Sequence, residues 1–190
     1  MTAHPFLIVD KATFYRFVVD APENVRCEFV RGRIIQEMNG GTLKHANIAK
    51  RIGRVIERQL PDDKWHVLSG SDRGVETAET IRYPDVVVEP VGAPEDSLAT
   101  LRPAIVVEVL SPSSEVRDLE AKPAEYTSIA SLQAYIVASQ DQPSCLVWLR
   151  RDDGTIAPEP TTVEGRDQVI QIGALKVAIP LAEVYRGIGG

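Results

Sequence analysis

The sequence predicts a mixed α/β (α+β) fold with one central β-sheet flanked by helices. Three observations carry that expectation. Apolar β-prone runs and helical patterns alternate along the chain in the order α-β-β-α-β-β-β-α-β-β. The run Ala104–Leu110 (AIVVEVL) is apolar on both alternating faces, as in a central strand covered on both sides. The segment from Leu43 to Leu60 carries Ile48, Ile52, Val55 and Ile56 at helical spacing, giving a helix with one buried stripe. A length of 190 residues suits a single domain over 1–190 with a sizeable core.

The elements follow in order. Asp10 is a natural N-cap for the amphipathic helix KATFYRFVVD, which ends near Ala21-Pro22. CEFV and RIIQEM form a hairpin around Arg31-Gly32, where glycine allows the positive φ of a tight turn. Gly40-Gly41 breaks the chain before the long helix, and Pro61-Asp62-Asp63 stops it. WHVLS is a strand, GSDRGVETAET a polar turn carrying a short strand, and IRYPDVVVE a strand. A loop of 14 residues (PVGAPEDSLATLRP) leads to AIVVEVL. SPSSEVRDLEAKPAEYTSIA reads as a loop and then a helix, LQAYIVAS and SCLVWLRR as strands. An irregular stretch around Pro158 and Pro160 precedes a last pair, QVIQIG and LKVAIP, then a short helix and tail.

Composition narrows the classes. The formal charge is −6, from 21 basic and 27 acidic residues, which counts against tight non-specific nucleic-acid binding, although the local field decides. Cys27 and Cys145 lie in apolar runs without metal-ligand spacing, and no stretch approaches the ~20 apolar residues of a membrane span. A cytoplasmic, non-membrane protein is expected. Zinc spacings, a P-loop, GxSxG and a dinucleotide fingerprint do not occur.

The residues that carry chemistry are acids in apolar strands. Glu108 shares a face with Val106 and Leu110 in a strand expected to be dry, so its carboxylate needs a cation, a metal or a proton. Asp85 precedes three valines, and Pro84 before it lacks a backbone donor, so the ladder is edged, bulged or broken there. The two acids stand 23 positions apart on successive strands, a donor set that suits Mg²⁺, which takes one or two carboxylates plus water and phosphate oxygens.

Pro84-Asp85 followed by Glu108-Val109-Leu110 resembles the PD…(D/E)xK pattern of restriction-endonuclease-like nucleases, with Leu110 where the pattern has lysine. CEFVRGRII, His45 opening a helix, YPDVVVE, VVEVLSPSS, RDLEAKPAEY and AYIV together resemble the Uma2 (DUF820) family, over about residues 26–138. The resemblance implies a restriction-endonuclease-like fold and a divalent-metal-dependent endonuclease that hydrolyses phosphodiester bonds of nucleic acid, with DNA the expected partner. It implies that Asp85, Glu108 and the backbone carbonyl of Val109 hold Mg²⁺ or Mn²⁺. Lys122, from the next helix, would take the part of the missing lysine; Glu28 would be a further acid of the site and His45 a polar contributor. A homodimer fits enzymes of this fold that cut duplexes.

Local spacing allows this, since Asp118, Lys122 and Tyr126 share a helix face. Pro123 departs from the pattern, because proline suits a first helical turn and not an interior, which starts the helix later and leaves Lys122 on its N-terminal turn. The residues alone also allow a solvated Lys122 paired with Asp118 and a His45 that is merely hydrogen-bonded in the core. Ser111 reads as a turn or cap residue. Lys44, Arg51, Arg54 and Arg58 make a basic stripe on the long helix that could contact phosphates. Two alternatives stay open: an inactive nuclease-fold binding or scaffold protein, and a metal-dependent phosphoesterase with another substrate.

Overall fold

The computed structural model describes residues 8–22, 25–37, 41–70, 73–110, 119 and 121–188. Helix α1 (Lys11–Asp20) is capped by Asp10, whose carboxylate accepts the Thr13 N–H at 2.7 Å. Strands β1 (Arg26–Val30) and β2 (Arg33–Glu37) form the expected hairpin, and both residues of its turn, Arg31 and Gly32, have positive φ. That is the turn geometry whose twist matches paired strands. Helix α2 (Leu43–Glu57) is capped by Thr42. Strands β3 (Trp65–Ser69), β4 (Gly74–Glu76), β5 (Thr80–Arg82), β6 (Val86–Pro90), β7 (Ala99–Thr100) and β8 (Ile105–Val109) follow. Helix α3 (Lys122–Thr127) leads to β9 (Ala134–Ala138), β10 (Ser144–Leu149) and β11 (Thr161–Glu164). The hairpin β12 (Val169–Ile172) and β13 (Val177–Pro180) precedes helix α4 (Leu181–Val184). Ser111 and Asp118 lie outside the described residues.

The fold is mixed α+β, and its main sheet is mixed and flanked by helices, in the order β11-β10-β9-β8-β6-β3 with β8 and β9 parallel. One expectation needs correction. The strands do not share a single sheet: β2-β1-β5-β4-β7 form a second one, and β12-β13 pair separately. IRYPDVVVE is accordingly two strands rather than one, with β5 in the smaller sheet and β6 in the larger. Proline at 84 supplies no ladder donor, so pairing stops there and the chain changes sheets. Two short strands, β7 within the proline-rich loop and β11 after Pro160, went unread because four residues or fewer carry little periodicity.

The core explains why Glu108 is where it is. On β8, Ile105, Val107 and Val109 pack with Ile48, Ile52 and Ile56 of α2 and with the β12-β13 hairpin. Val106, on the opposite face, packs with Val87, Tyr126, Tyr135, Val137 and Trp148. Alternation then places Glu108 on the α3 side of the sheet. A third cluster of Phe14, Cys27, Phe29 and Ile81 seats α1 on the smaller sheet.

Candidate active site at the junction of the two sheets

Antiparallel pairing sets Val86 opposite Val107, which brings Asp85, at the crossing between sheets, beside the end of β8. There the Val109 N–H donates to Asp85 Oδ2 at 2.7 Å. Glu108, 6% exposed, accepts from Lys122 Nζ at 2.8 Å and from the Tyr126 hydroxyl at 3.1 Å. Lys122 and Tyr126 are four apart on α3 and so point the same way. The helix begins at Lys122 with Pro123 in its first turn, where a missing N–H has no consequence. The reading of Lys122 as a solvated surface residue is thereby overturned: it is 7% exposed and ion-paired with Glu108.

His45 enters from the first turn of α2, its N–H held by the Thr42 hydroxyl at 3.1 Å. Its Nε2 stands 3.2 Å from Asp85 Oδ2. The hydrogen bond to Asp85 raises the imidazole pKa above the ordinary 6.5; burial opposes this, and the charges of Asp85 and Glu108 and a hydrogen bond to the Val109 backbone add to it. The Val86–Val107 register sets Asp85 beside Glu108 at the ends of the two strands.

Glu28, on β1, is 5% exposed, with Oε1 at 3.9 Å from Lys122 Nζ and Oε2 accepting from Arg82 Nη1 at 2.6 Å. The other edge of the Arg82 guanidinium makes a two-pronged contact with Glu125, both bonds at 2.8 Å. Burial works against the Arg82 charge, but the bonds to Glu125 and Glu28 outweigh it and its pKa is raised. All the predicted site residues, Glu28, His45, Asp85, Glu108, Val109 and Lys122, thus meet at one junction.

Sequence reading missed Arg82, Glu125 and Gln140. Arg82 carries the signal that exposed Glu108, a charge inside an apolar strand, and Glu125 lies one turn after Lys122. Gln140 has no such mark; buried, it accepts from the Thr42 hydroxyl at 2.5 Å and donates to the Leu110 carbonyl, tying the start of α2 to the end of β8. The basic stripe of α2 is partly engaged within the protein. Arg51 donates to the carbonyls of Val184 and Arg186, Arg58 pairs with Glu183 and Lys44 with Asp141, so three of its four cations bind the protein itself.

Among the described residues, no three His, Cys, Asp or Glu side chains are grouped to hold a metal ion. A hard cation needs fewer: Asp85, Glu108 and the Val109 carbonyl are oxygen donors at neighbouring strand ends, and water would complete the shell. The donor chemistry fits Mg²⁺ or Mn²⁺.

Among solved structures, the chain resembles the crystal structure of "a putative nuclease belonging to DUF820" from Anabaena variabilis, with a TM-score of 0.68 and 16% identity over 88% of this chain and 94% of that one. The class is therefore that of a nuclease-like fold. The chain belongs to the Uma2 family, whose model, described as "Putative restriction endonuclease", matches residues 12–181. It is also similar to two proteins of Synechocystis sp. Uncharacterized protein slr1290 is 30% identical over 85% of this chain and 84% of its own length. Uncharacterized protein sll1609 is 28% identical over 60% of this chain and 67% of its own. Among the described residues no helix is long and apolar enough to cross a membrane.

Proposed function

We propose that this chain is a divalent-metal-dependent endonuclease that hydrolyses phosphodiester bonds of nucleic acid, with DNA as substrate. One observation carries the reading: Lys122, from outside the strand, reaches Glu108 at 2.8 Å, supplying the cation that Leu110 cannot, while the Val109 N–H holds Asp85 at the same strand end. Asp85, Glu108 and the Val109 carbonyl would hold Mg²⁺ or Mn²⁺. The bound ion would polarise the scissile phosphate and lower the pKa of a water.

The chain's own groups do the rest. Lys122 pairs with the buried Glu108 and offers positive charge where negative charge develops on the phosphate oxygens. Tyr126 fixes the Glu108 carboxylate by its hydroxyl. His45 contacts the same Asp85 oxygen that the Val109 N–H holds, and Glu28 sits behind Lys122 in contact with Arg82 rather than at the strand ends. A homodimer would bring two such sites to the two strands of a duplex.

The test is cleavage of single- and double-stranded DNA and RNA with Mg²⁺ or Mn²⁺ by the native protein, Asp85→Ala and Glu108→Ala. Metal-dependent cleavage by the native protein alone supports the proposal. Cleavage that survives both substitutions, or none under any condition, defeats it.

A further inference from the structure

Lys122 stands between two buried carboxylates. Its Nζ is 2.8 Å from Glu108 Oε1 and 3.9 Å from Glu28 Oε1, and Glu28 is as deeply buried as Glu108. One ammonium cannot serve both at hydrogen-bond distance in this arrangement, so something must decide which acid receives it. Arg82 is placed to decide. Its Nη1 is 2.6 Å from Glu28 Oε2, and its other edge is locked onto Glu125 by two bonds of 2.8 Å. A guanidinium is planar, with donors at fixed angles, so the grip on Glu125 sets the direction of the bond to Glu28. Glu125 lies on the same short helix as Lys122, so this grip also seats the helix that carries the lysine.

We infer that Arg82 is a positioning residue: by neutralising Glu28 it leaves the Lys122 ammonium to Glu108. Without it, Glu28 would lose its bond at 2.6 Å and compete with Glu108 for the Lys122 ammonium, which already stands 3.9 Å away. The guanidinium bonds Glu28 and Glu125, so it acts on the site through Glu28 and Lys122. The placement of the ammonium needs no metal or substrate; its effect on catalysis rests on the nuclease reading above.

The experiment compares the native protein, Arg82→Gln and Arg82→Gln/Glu28→Gln, each first shown to be folded by circular dichroism. Crystal structures of the metal-free proteins locate Lys122 Nζ. Metal-dependent DNA cleavage is then measured on the same preparations. In Arg82→Gln the ammonium should leave Glu108 for Glu28, and cleavage should fall about tenfold or more. In the double variant, which removes one charge of each sign, Lys122 should return to Glu108 and part of the lost cleavage should come back.

Lys122 still bonded to Glu108 in Arg82→Gln would overturn the inference. If that variant does not fold, Arg82→Gln/Glu125→Gln replaces it, which removes the guanidinium together with its other acid and leaves Glu28 charged; native-like cleavage and Lys122 placement there would be equally fatal. If Lys122 moves as expected but the native protein cuts nothing, the positioning role stands and the nuclease reading is the one that fails.

Discussion

Glu108 and Lys122 show how a buried ion pair constrains each residue separately. Both are less than a tenth exposed, so neither charge is solvated well enough to stand alone. Breaking such a pair from one side destabilises by about 3–5 kcal/mol. Glu108→Ala should approach that loss in urea unfolding, because it removes the ammonium's partner at 2.8 Å and leaves Glu28, already bonded to Arg82, at 3.9 Å. Lys122→Met should be milder, since a Glu108 left without its cation can take up a proton while keeping its contact with Tyr126. Equal losses would show that Lys122 contributes to folding mainly through something other than Glu108.

His45 makes a second prediction at this scale. Its pKa is raised, chiefly by the hydrogen bond to Asp85, so the folded state holds the proton more tightly than the unfolded chain does. The stability this provides is fully present below the unfolded value, 6.5, and is lost as pH rises through the higher folded value. In metal-free buffer, the stability advantage of the native protein over His45→Gln should therefore shrink from mildly acidic pH upward. Histidine NMR titration should show Asp85→Asn bringing His45 back toward its ordinary value. A His45 titration indifferent to Asp85→Asn would contradict the assigned cause.

At the level of elements, helix α2 does two jobs with two faces. Ile48, Ile52 and Ile56 are 1% exposed or less and fill the core beneath the main sheet. Gly53 lets the helix approach β3 so closely that a Cβ there would lie 2.3 Å from the Ser69 hydroxyl oxygen. The flank of the apolar face is held by Arg51, whose guanidinium accounts for two carbonyls of the C-terminal segment. Because His45 rides on this helix, its docking sets one wall of the site. Ile52→Ala should lower unfolding free energy by about 2–5 kcal/mol, the usual range for emptying a full core position. Urea denaturation checks it, and a loss under about 1 kcal/mol would mean the core closes over the gap.

How much was readable also differs by element. The periodic ones, α1, α2, β8 and β9, were plain because burial on one face or two leaves a repeating pattern. The strand change at Tyr83–Asp85 was half-readable: Pro84 announced a break, but not that the two pieces join different sheets. The basic stripe of α2 was readable only as cations that share a face, because spacing does not say what that face meets.

For the whole molecule, the site lies where two sheets meet, so its integrity reports on how they are joined. Glu28 and Arg82 come from the smaller sheet, Glu108 from the larger, Asp85 from the crossing, and Lys122 and Glu125 from α3. A divalent ion that binds only this assembled state stabilises it by mass action, by about 2.7 kcal/mol at a concentration one hundred times its dissociation constant. Mg²⁺ or Mn²⁺ should therefore raise the melting temperature of the native protein in thermal scans, and Asp85→Ala should remove the rise. The same rise in both proteins would place the ion elsewhere.

The amino-acid string settled those features that rest on local pattern: which segments are strands or helices, that Glu108 lies in a dry strand, and that Asp85 follows a proline that interrupts pairing. Burial, turn chemistry and side-chain alternation act over a few residues, so they leave marks in order along the chain. Long-range pairing settled the rest. Glu28 meets Arg82 across 54 positions and Arg82 meets Glu125 across 43, and nothing local encodes such partners. Only packing of the two sheets and α3 against one another decides which acid each cation finds, because a buried charge is stable solely where the folded chain delivers its counterion.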